Sequence, residues 1–337
     1  MYERFFNLNT KPFELVPNPD FLFLSKSHRK SMTYLEYGIR ERAGFILLTG
    51  EVGSGKTTLV RNLVKKLERN TVLSKVFNTM VTSSQLISMI NEDFGLPVAG
   101  KDKVTLVREL NDFLIDCYSK NRQAILIIDE AQNLSPELLE EVRMLSNLEA
   151  DRSKLLQIIL SGQPELWKKL GSPDLRQLRQ RISICCNIYP LTREETEEYI
   201  LFRLEVAGNR LAVTFEEGTV EAIHEFSRGI PRLINIIADY IMLAAFVDST
   251  RSISMDIVDE VRGELEKENR YWNDETGPQE EGDSFKDLAG RLEKLERELV
   301  SRSVSDDGRA ELKERIVNIE KLLKQFCNYV IDKKSYT

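Results

Sequence analysis

The sequence predicts an α/β fold: a parallel sheet covered by helices, then an all-helical region, then a separate helical tail. Three observations predict it. Short apolar runs alternate with helical patterns through residues 44–190, the layout of a parallel sheet built from strand–helix–strand units. The run Ala124-Ile125-Leu126-Ile127-Ile128 is apolar without alternation, as expected of a strand buried on both faces. After Pro190 the strand signals stop and only helical periodicity remains.

The chain has 337 residues, 42% of them hydrophobic and 30% charged. That bounds it at about two domains plus an appendage. Its longest apolar runs are too short to span a bilayer, and Met1-Tyr2-Glu3-Arg4-Phe5-Phe6 lacks the basic-then-apolar layout of a signal peptide. Cys117, Cys185, Cys186 and Cys327 show no C-x-x-C spacing and only two histidines accompany them, so the reading is free thiols in the cytoplasm rather than a zinc site. Residues 1–190 carry 26 basic and 22 acidic side chains, a net +4, whereas residues 191–337 carry 21 and 32, a net −11. The acidic whole therefore leaves room for nucleic-acid contact by the first half but excludes a uniformly basic surface.

Residues 1–43 form an entry block stiffened by Pro12, Pro17 and Pro19, with a helix predicted over Lys26–Arg42. Strands are predicted at 44–49, 72–77, 124–129, 155–161 and 182–189, and helices at 56–69, 83–94, 104–119, 135–148 and 164–180. Residues 191–268 read as four helices, near 192–206, 215–227, 231–247 and 254–268. The first opens on the capping box Thr192-Arg193-Glu194-Glu195 and stops at Gly208. Residues 269–283 read as a linker. Over 284–332 two heptad seams, Leu288-Leu292-Leu295-Leu299 and Leu312-Ile316-Ile319-Leu323-Phe326-Val330, are out of phase. They predict a helical hairpin or coiled-coil tail that packs on itself or docks a partner.

The chemistry begins at Gly50-Glu51-Val52-Gly53-Ser54-Gly55-Lys56-Thr57, a G-x-x-x-x-G-K-T run followed by Thr58 and preceded by Phe45-Ile46-Leu47-Leu48. Four fixed positions match by chance in about one chain per hundred of this length. Glycines let backbone N–H groups surround phosphate oxygens, and the next helix adds its positive end. Lys56 would reach the β- and γ-phosphates and Thr57 would offer its hydroxyl to Mg²⁺. Asp129-Glu130 ends the 124–129 strand, where a metal ligand (Asp129) and a water-polarising carboxylate (Glu130) belong. Ser161-Gly162-Gln163 ends the next strand, and Ser161 or Gln163 would contact the γ-phosphate or its water. The run Leu175-Arg176-Gln177-Leu178-Arg179-Gln180-Arg181 is either a surface charge cluster or the source of an arginine for a neighbouring subunit's site. Gly229-Ile230-Pro231-Arg232 opens a helix with proline at its first position, placing Arg232 where it could fold onto the nucleotide.

The set GEVGSGKTT, LIIDEAQ, SGQPEL, LRQLRQR and GIPRLIN, with the opening MYERFFNL and PFELVPNPDFLFLS before His28-Arg29, resembles the AAA+ ATPases of the general secretion pathway protein A type over about residues 1–265. The resemblance implies an α/β P-loop domain with a helical lid, and a homo-oligomer, ring or filament and hexamer-like, with ATP between subunits. It implies that Asp129 and Glu130 form the Walker B pair. It puts Gln163 or Ser161 at the sensor-1 position and Arg232 at sensor 2. Arg181 is the best match to the trans finger and Arg179 the second. Phe23 and His28 would line the adenine, although His28 could equally be a surface histidine. That type continues into a membrane span and a periplasmic peptidoglycan-binding region. Here the acidic linker and heptad tail stand instead, so the expectation is a short cytoplasmic form, peripheral at the inner membrane through partners. Shorter relatives accompany pilus biogenesis and exopolysaccharide or exosortase systems. The first reading is thus an ATPase serving a bacterial envelope system through its C-terminal helices. The alternative is an ATP-dependent DNA-binding regulator resembling transposition ATPases, motivated by Arg61, Lys65, Lys66, Arg69 and Lys75.

Overall fold

A computed structural model describes residues 2–267, apart from 17, 68–69, 78 and 151–152. The predicted linker 269–283 and the heptad tail 284–332 lie outside the described residues. In order, the elements of the first part are α1 (Lys26–Arg40), β1 (Phe45–Gly50), α2 (Lys56–Lys66), β2 (Thr71–Val76), α3 (Ser83–Asp93), α4 (Lys103–Ser119), β3 (Gln123–Ile128), α5 (Pro136–Leu145), β4 (Glu149–Ala150), β5 (Ser153–Lys154), β6 (Leu156–Gly162), α6 (Glu165–Leu170), α7 (Arg176–Arg181) and β7 (Ile182–Ile188). The remainder comprises α8 (Arg193–Val206), β8 (Thr214–Phe215), α9 (Thr219–Ser227), α10 (Pro231–Val247), β9 (Ser252–Ile253) and α11 (Met255–Lys267).

Five strands form one parallel sheet in the order β2-β3-β6-β1-β7. The three central strands are the apolar runs of the sequence, and β1 and β6 are buried along their whole length. Because successive side chains point to opposite faces, each strand feeds two cores. Phe45, Leu47, Leu126, Ile128, Ile158 and Leu160 face the layer of α3, α4 and α5. Ile46, Leu48, Ile125, Ile127 and Ile159 face Leu35 and Ile39 of α1 and Leu59 and Leu63 of α2. Register aligns Leu48 with Ser161, Thr49 with Gly162 and Ile128 with Leu160. The carboxyl ends of β1, β3 and β6 therefore stand side by side, and whatever follows them shares one rim.

Three predicted elements are corrected. The helix at 164–180 is broken into α6, a 3₁₀ turn at Pro173–Leu175, and α7. Pro173 lacks an N–H and pushes Ser172 to ψ 150, outside the helical region. The region after Pro190 is not purely helical either. Thr214–Phe215 and Ser252–Ile253 pair as short parallel strands, so the helix predicted from 215 begins at Thr219. Helix α1 also stops at Arg40, two residues early, with Arg42 at φ 52.

Much of the entry block packs on the lid of α8–α11 rather than on the sheet. Phe6 and Phe13 are buried. Phe5 meets Phe246 edge-on at 5.6 Å between ring centroids, Asn9 N donates to Ala207 O at 2.7 Å, and Tyr2 hydrogen-bonds Asp239. Among the described residues no helix is long and apolar enough to cross a membrane.

Leu160 is fully buried at the centre of β6. Leu160→Ala should cost about 3 kcal/mol, read as a lower urea midpoint with an unchanged m-value; a loss below about 1 kcal/mol would contradict this account of the core.

Candidate functional site

The loop between β1 and α2 is shaped by two glycines with positive φ, Gly53 at 75° and Gly55 at 95°, values that L side chains avoid. Space excludes side chains as well. A Cβ on Gly53 would overlap Arg232 of α10, and one on Gly55 would lie 3.0 Å from His28 Nε2. Inside this loop Lys56 is 5% exposed. Its Nζ donates to Gly50 O at 2.8 Å and Glu51 O at 2.9 Å. Burial pushes its pKa below the ordinary lysine value, against the pull of Glu130 and Asp129. Ser54 Oγ is buried without a hydrogen-bond partner, which marks a polar group waiting for an acceptor or donor.

Asp129, directly beyond β3, is 5% exposed. Thr57 Oγ1 donates to its Oδ2 at 2.9 Å, while Ser161 Oγ and Glu130 N donate to its Oδ1 at 2.7 and 3.1 Å. Of the two sensor-1 candidates, Ser161 is thus joined to the predicted metal ligand. Gln163 lies at the other carboxylate: its Nε2 is 3.3 Å from Glu130 Oε2. Glu130 itself adopts a left-handed conformation, φ 51 and ψ 38, which sets its side chain apart from that of Asp129.

The lid closes over this rim. Arg232 N donates to Gly53 O at 3.2 Å, and Arg232 lines the same cleft as Lys56, Thr57, Thr58 and Glu130. Leu15, Val16, Phe21, Leu22 and Phe23 of the entry block line it too, with Tyr199, Arg203 and Asn235 of the lid. Phe23 packs against Tyr199 and Phe202, both at 5.7 Å between centroids. His28 also lines the cleft and is 3% exposed, so the surface-histidine alternative is corrected: the first turn of α1 presses it onto the loop. Its Nε2 lies 3.0 Å from Ser54 O and its Nδ1 2.7 Å from Ser25 Oγ. A carbonyl only accepts, so Nε2 carries the proton and Nδ1 accepts from the serine hydroxyl. Desolvation lowers the His28 pKa, outweighing the opposing hydrogen bond to Ser54 and the charge of Glu195.

The arginines of α7 lie elsewhere. Arg181 Nη1 donates to Ser146 Oγ at 2.8 Å, and Arg179 Nη1 to Gly171 O at 3.1 Å. Arg176 is exposed. None of the three lines this chain's own cleft. Of the basic side chains that motivated the DNA alternative, Lys66 is paired with Glu36 at 3.1 Å and Arg69 lies outside the described residues.

Comparison with known proteins decides the family of this region. Residues 39–170 match the AAA domain family. The chain carries an AAA domain. It is also similar to general secretion pathway protein A of Aeromonas hydrophila, 40% identical over 254 residues, an alignment that takes in 75% of this chain and 46% of that protein. The chain thus spans about half the length of this curated relative. Among solved structures it is similar to the ORC2 protein of Aeropyrum pernix (TM-score 0.57, 19% identity, 76% of this chain and 72% of that one). It is likewise similar to Cdc6p of Pyrobaculum aerophilum (TM-score 0.56, 17% identity, 75% and 70%). At these identities the likeness concerns the fold: an AAA P-loop sheet with a helical lid.

Two residues around this AAA domain's cleft escaped the sequence reading. Gln132 Nε2 donates to Glu130 Oε2 at 2.6 Å; it stands within the LIIDEAQ motif, and its position two residues past Glu130 was the available signal. Arg203, buried in the last turn of α8, donates to Glu14 O at 3.1 Å and to Pro12 O at 2.5 Å, and lies 4.5 Å from the Phe21 ring centroid. It ties the entry block to the lid and so builds the far wall of the cleft. The available signal was its spacing, three and four residues past Ile200 and Tyr199 on the buried stripe of α8.

His28 is buried neutral, and its folded pKa is depressed from the ordinary 6.5. The unfolded chain then binds the extra proton more readily, so the stability His28 contributes is present above about pH 6.5 and is lost as pH falls below it. Urea unfolding between about pH 7.5 and pH 5 should show wild type losing more stability than His28→Asn; parallel pH curves would refute the assignment.

Proposed function

We propose that this chain is a magnesium-dependent ATPase. It completes its sites between subunits of a homo-oligomer and couples hydrolysis to the assembly or remodelling of a bacterial envelope system. The observation that carries the reading is the Asp129 carboxylate, held by Thr57 and Ser161 beside the buried Lys56. The residues fit the ligands. Ser54 Oγ lacks a partner, Lys56 Nζ is satisfied only by carbonyls of its own loop, and Thr57 with Asp129 forms the hydroxyl–carboxylate pair that a hard cation takes. Thr57 and Asp129 would hold Mg²⁺, which would supply positive charge to offset that of the phosphates.

The chain's own groups do the rest. Lys56 leaves the Gly50 and Glu51 carbonyls for the phosphates, regaining the ion pairing that burial denies it. Gln163 contacts the γ-phosphate or its water, while Ser161 keeps Asp129 oriented. Glu130 accepts a proton from that water. Arg232 reaches the phosphates from the lid, so binding draws α10 onto the loop. His28, Phe23 and the entry block wall the base. Arg181, or else Arg179, is lent to the neighbouring subunit's site, where a guanidinium on the transferred group is worth orders of magnitude in rate. The likeness to general secretion pathway protein A supports a secretion-related client; residues 284–332 are the segment we assign to docking it, with the assembly at the cytoplasmic side of the inner membrane.

Lys56→Ala should abolish ATP binding in a fluorescent-nucleotide titration. Glu130→Gln should bind ATP with near wild-type affinity, release phosphate at least about a hundredfold more slowly, and accumulate the oligomer in mass photometry. Normal phosphate release by Glu130→Gln would sink the assignment of Glu130. A monomer at saturating ATP and magnesium would sink the shared site.

A further inference from the structure

Glu130 and Gln163 are brought together by a third side chain that bonds to both. The turn after β3, Ala131–Asn133, is a single 3₁₀ turn with Glu130 at its start. From it the Gln132 carboxamide reaches across to the turn after β6. Its Oε1 accepts from Gln163 N at 3.0 Å, and its Nε2 donates to Glu130 Oε2 at 2.6 Å. The backbone N–H of Gln163 can only donate, so the amide oxygen must face it and the NH₂ must face the carboxylate. Gln163 Nε2 approaches the same oxygen at 3.3 Å. Glu130 thus receives two amide donors on Oε2.

The turn is fixed from outside as well. Lys169 Nζ, on α6, donates to Leu134 O at 2.7 Å and also to Gln132 O. Gly162 leaves the space that the amide occupies: a Cβ there would lie 2.9 Å from Gln132 Oε1 and 3.4 Å from Gln132 N. Gln132 is therefore held at backbone and side chain by the β6–α6 segment, and what it holds in turn is the carboxylate.

We propose that Gln132 is a positioning residue for Glu130: by occupying Oε2 it turns the other oxygen, Oε1, toward the attacking water, and it ties that orientation to the turn bearing Gln163. The inference rests on Glu130 being the water-polarising group. A carboxylate aimed by charge-assisted hydrogen bonds loses little entropy at the moment of reaction, whereas a freely rotating one must be oriented anew in each turnover. A carboxamide of this length is needed because one end must accept and the other donate.

The test compares full-length wild type, Gln132→Met and Gln132→Glu in steady-state phosphate release and in binding of a non-hydrolysable ATP analogue. Gln132→Met keeps the length and loses both bonds. It should lower kcat roughly tenfold to a hundredfold while KM and analogue affinity stay within about twofold of wild type. Gln132→Glu keeps the acceptor for Gln163 N but donates to Glu130 only when protonated. As a carboxylate it sets like charge against Glu130 Oε2, so it should lower kcat at least as far as Gln132→Met while KM and analogue affinity stay within about twofold. A merely structural role would instead lower kcat and analogue affinity together; that result would overturn the proposal. So would a Gln132→Met kcat within about twofold of wild type. If Gln132→Met does not fold, the split between kcat and analogue affinity in Gln132→Glu decides alone. Glu130→Gln, run alongside, separates the two levels. Should it turn over like wild type, the reading of Glu130 fails; should it be inactive while Gln132→Met is unimpaired, only the role of Gln132 fails.

Discussion

The carboxylate of Asp129 is the point on which the cleft depends. Almost removed from solvent, it would be costly to bury unaided, and it is satisfied by donors from three places: Thr57 at the start of α2, Ser161 on β6, and the backbone of Glu130. The Thr57 and Ser161 bonds each reach another element, and the Glu130 bond fixes the turn locally. Together they hold the glycine loop, the end of β3 and the end of β6 in one arrangement, so the orientation of α2 and of the Glu130 turn follows from a single acid. The parallel register of β1, β6 and β3 makes this possible by bringing three strand ends to the same rim.

A second set of contacts determines what closes the rim. The lid touches the glycine loop through Arg232 N and Gly53 O, and it holds the entry block through the buried guanidinium of Arg203. The entry block in turn presses His28 onto Ser54. Loop, lid and entry block therefore form a closed circuit around the cleft.

How far the sequence could be read depended on whether the deciding contacts were local. The strands at 45–50, 123–128 and 156–162 announced themselves because a strand buried on both faces must be apolar throughout. The capping box at Thr192 and Glu195 formed as predicted, since its partners are three residues apart. The break at Ser172-Pro173 escaped because helical periodicity continues on either side of it, and the proline rule was outweighed by that pattern. The pair Thr214–Phe215 and Ser252–Ile253 escaped for another reason. Two-residue strands have no periodicity of their own and exist only because the lid helices bring them together.

By itself the sequence determined the chemistry of single segments: the glycines whose φ the loop demands, the lysine and threonine beside them, and an acidic pair at the end of an apolar strand. Only the tertiary structure decided which of these groups meet. Ser161 rather than Gln163 reaches Asp129, Gln163 is joined to Glu130 through Gln132, His28 is buried against the loop, and Arg203 clamps the entry block. These partners are separated by as many as 191 residues, and Gln132 differs from its neighbours only in where its amide points. Strand order, register and side-chain packing specify such meetings, and they arise once the chain has closed around its two cores.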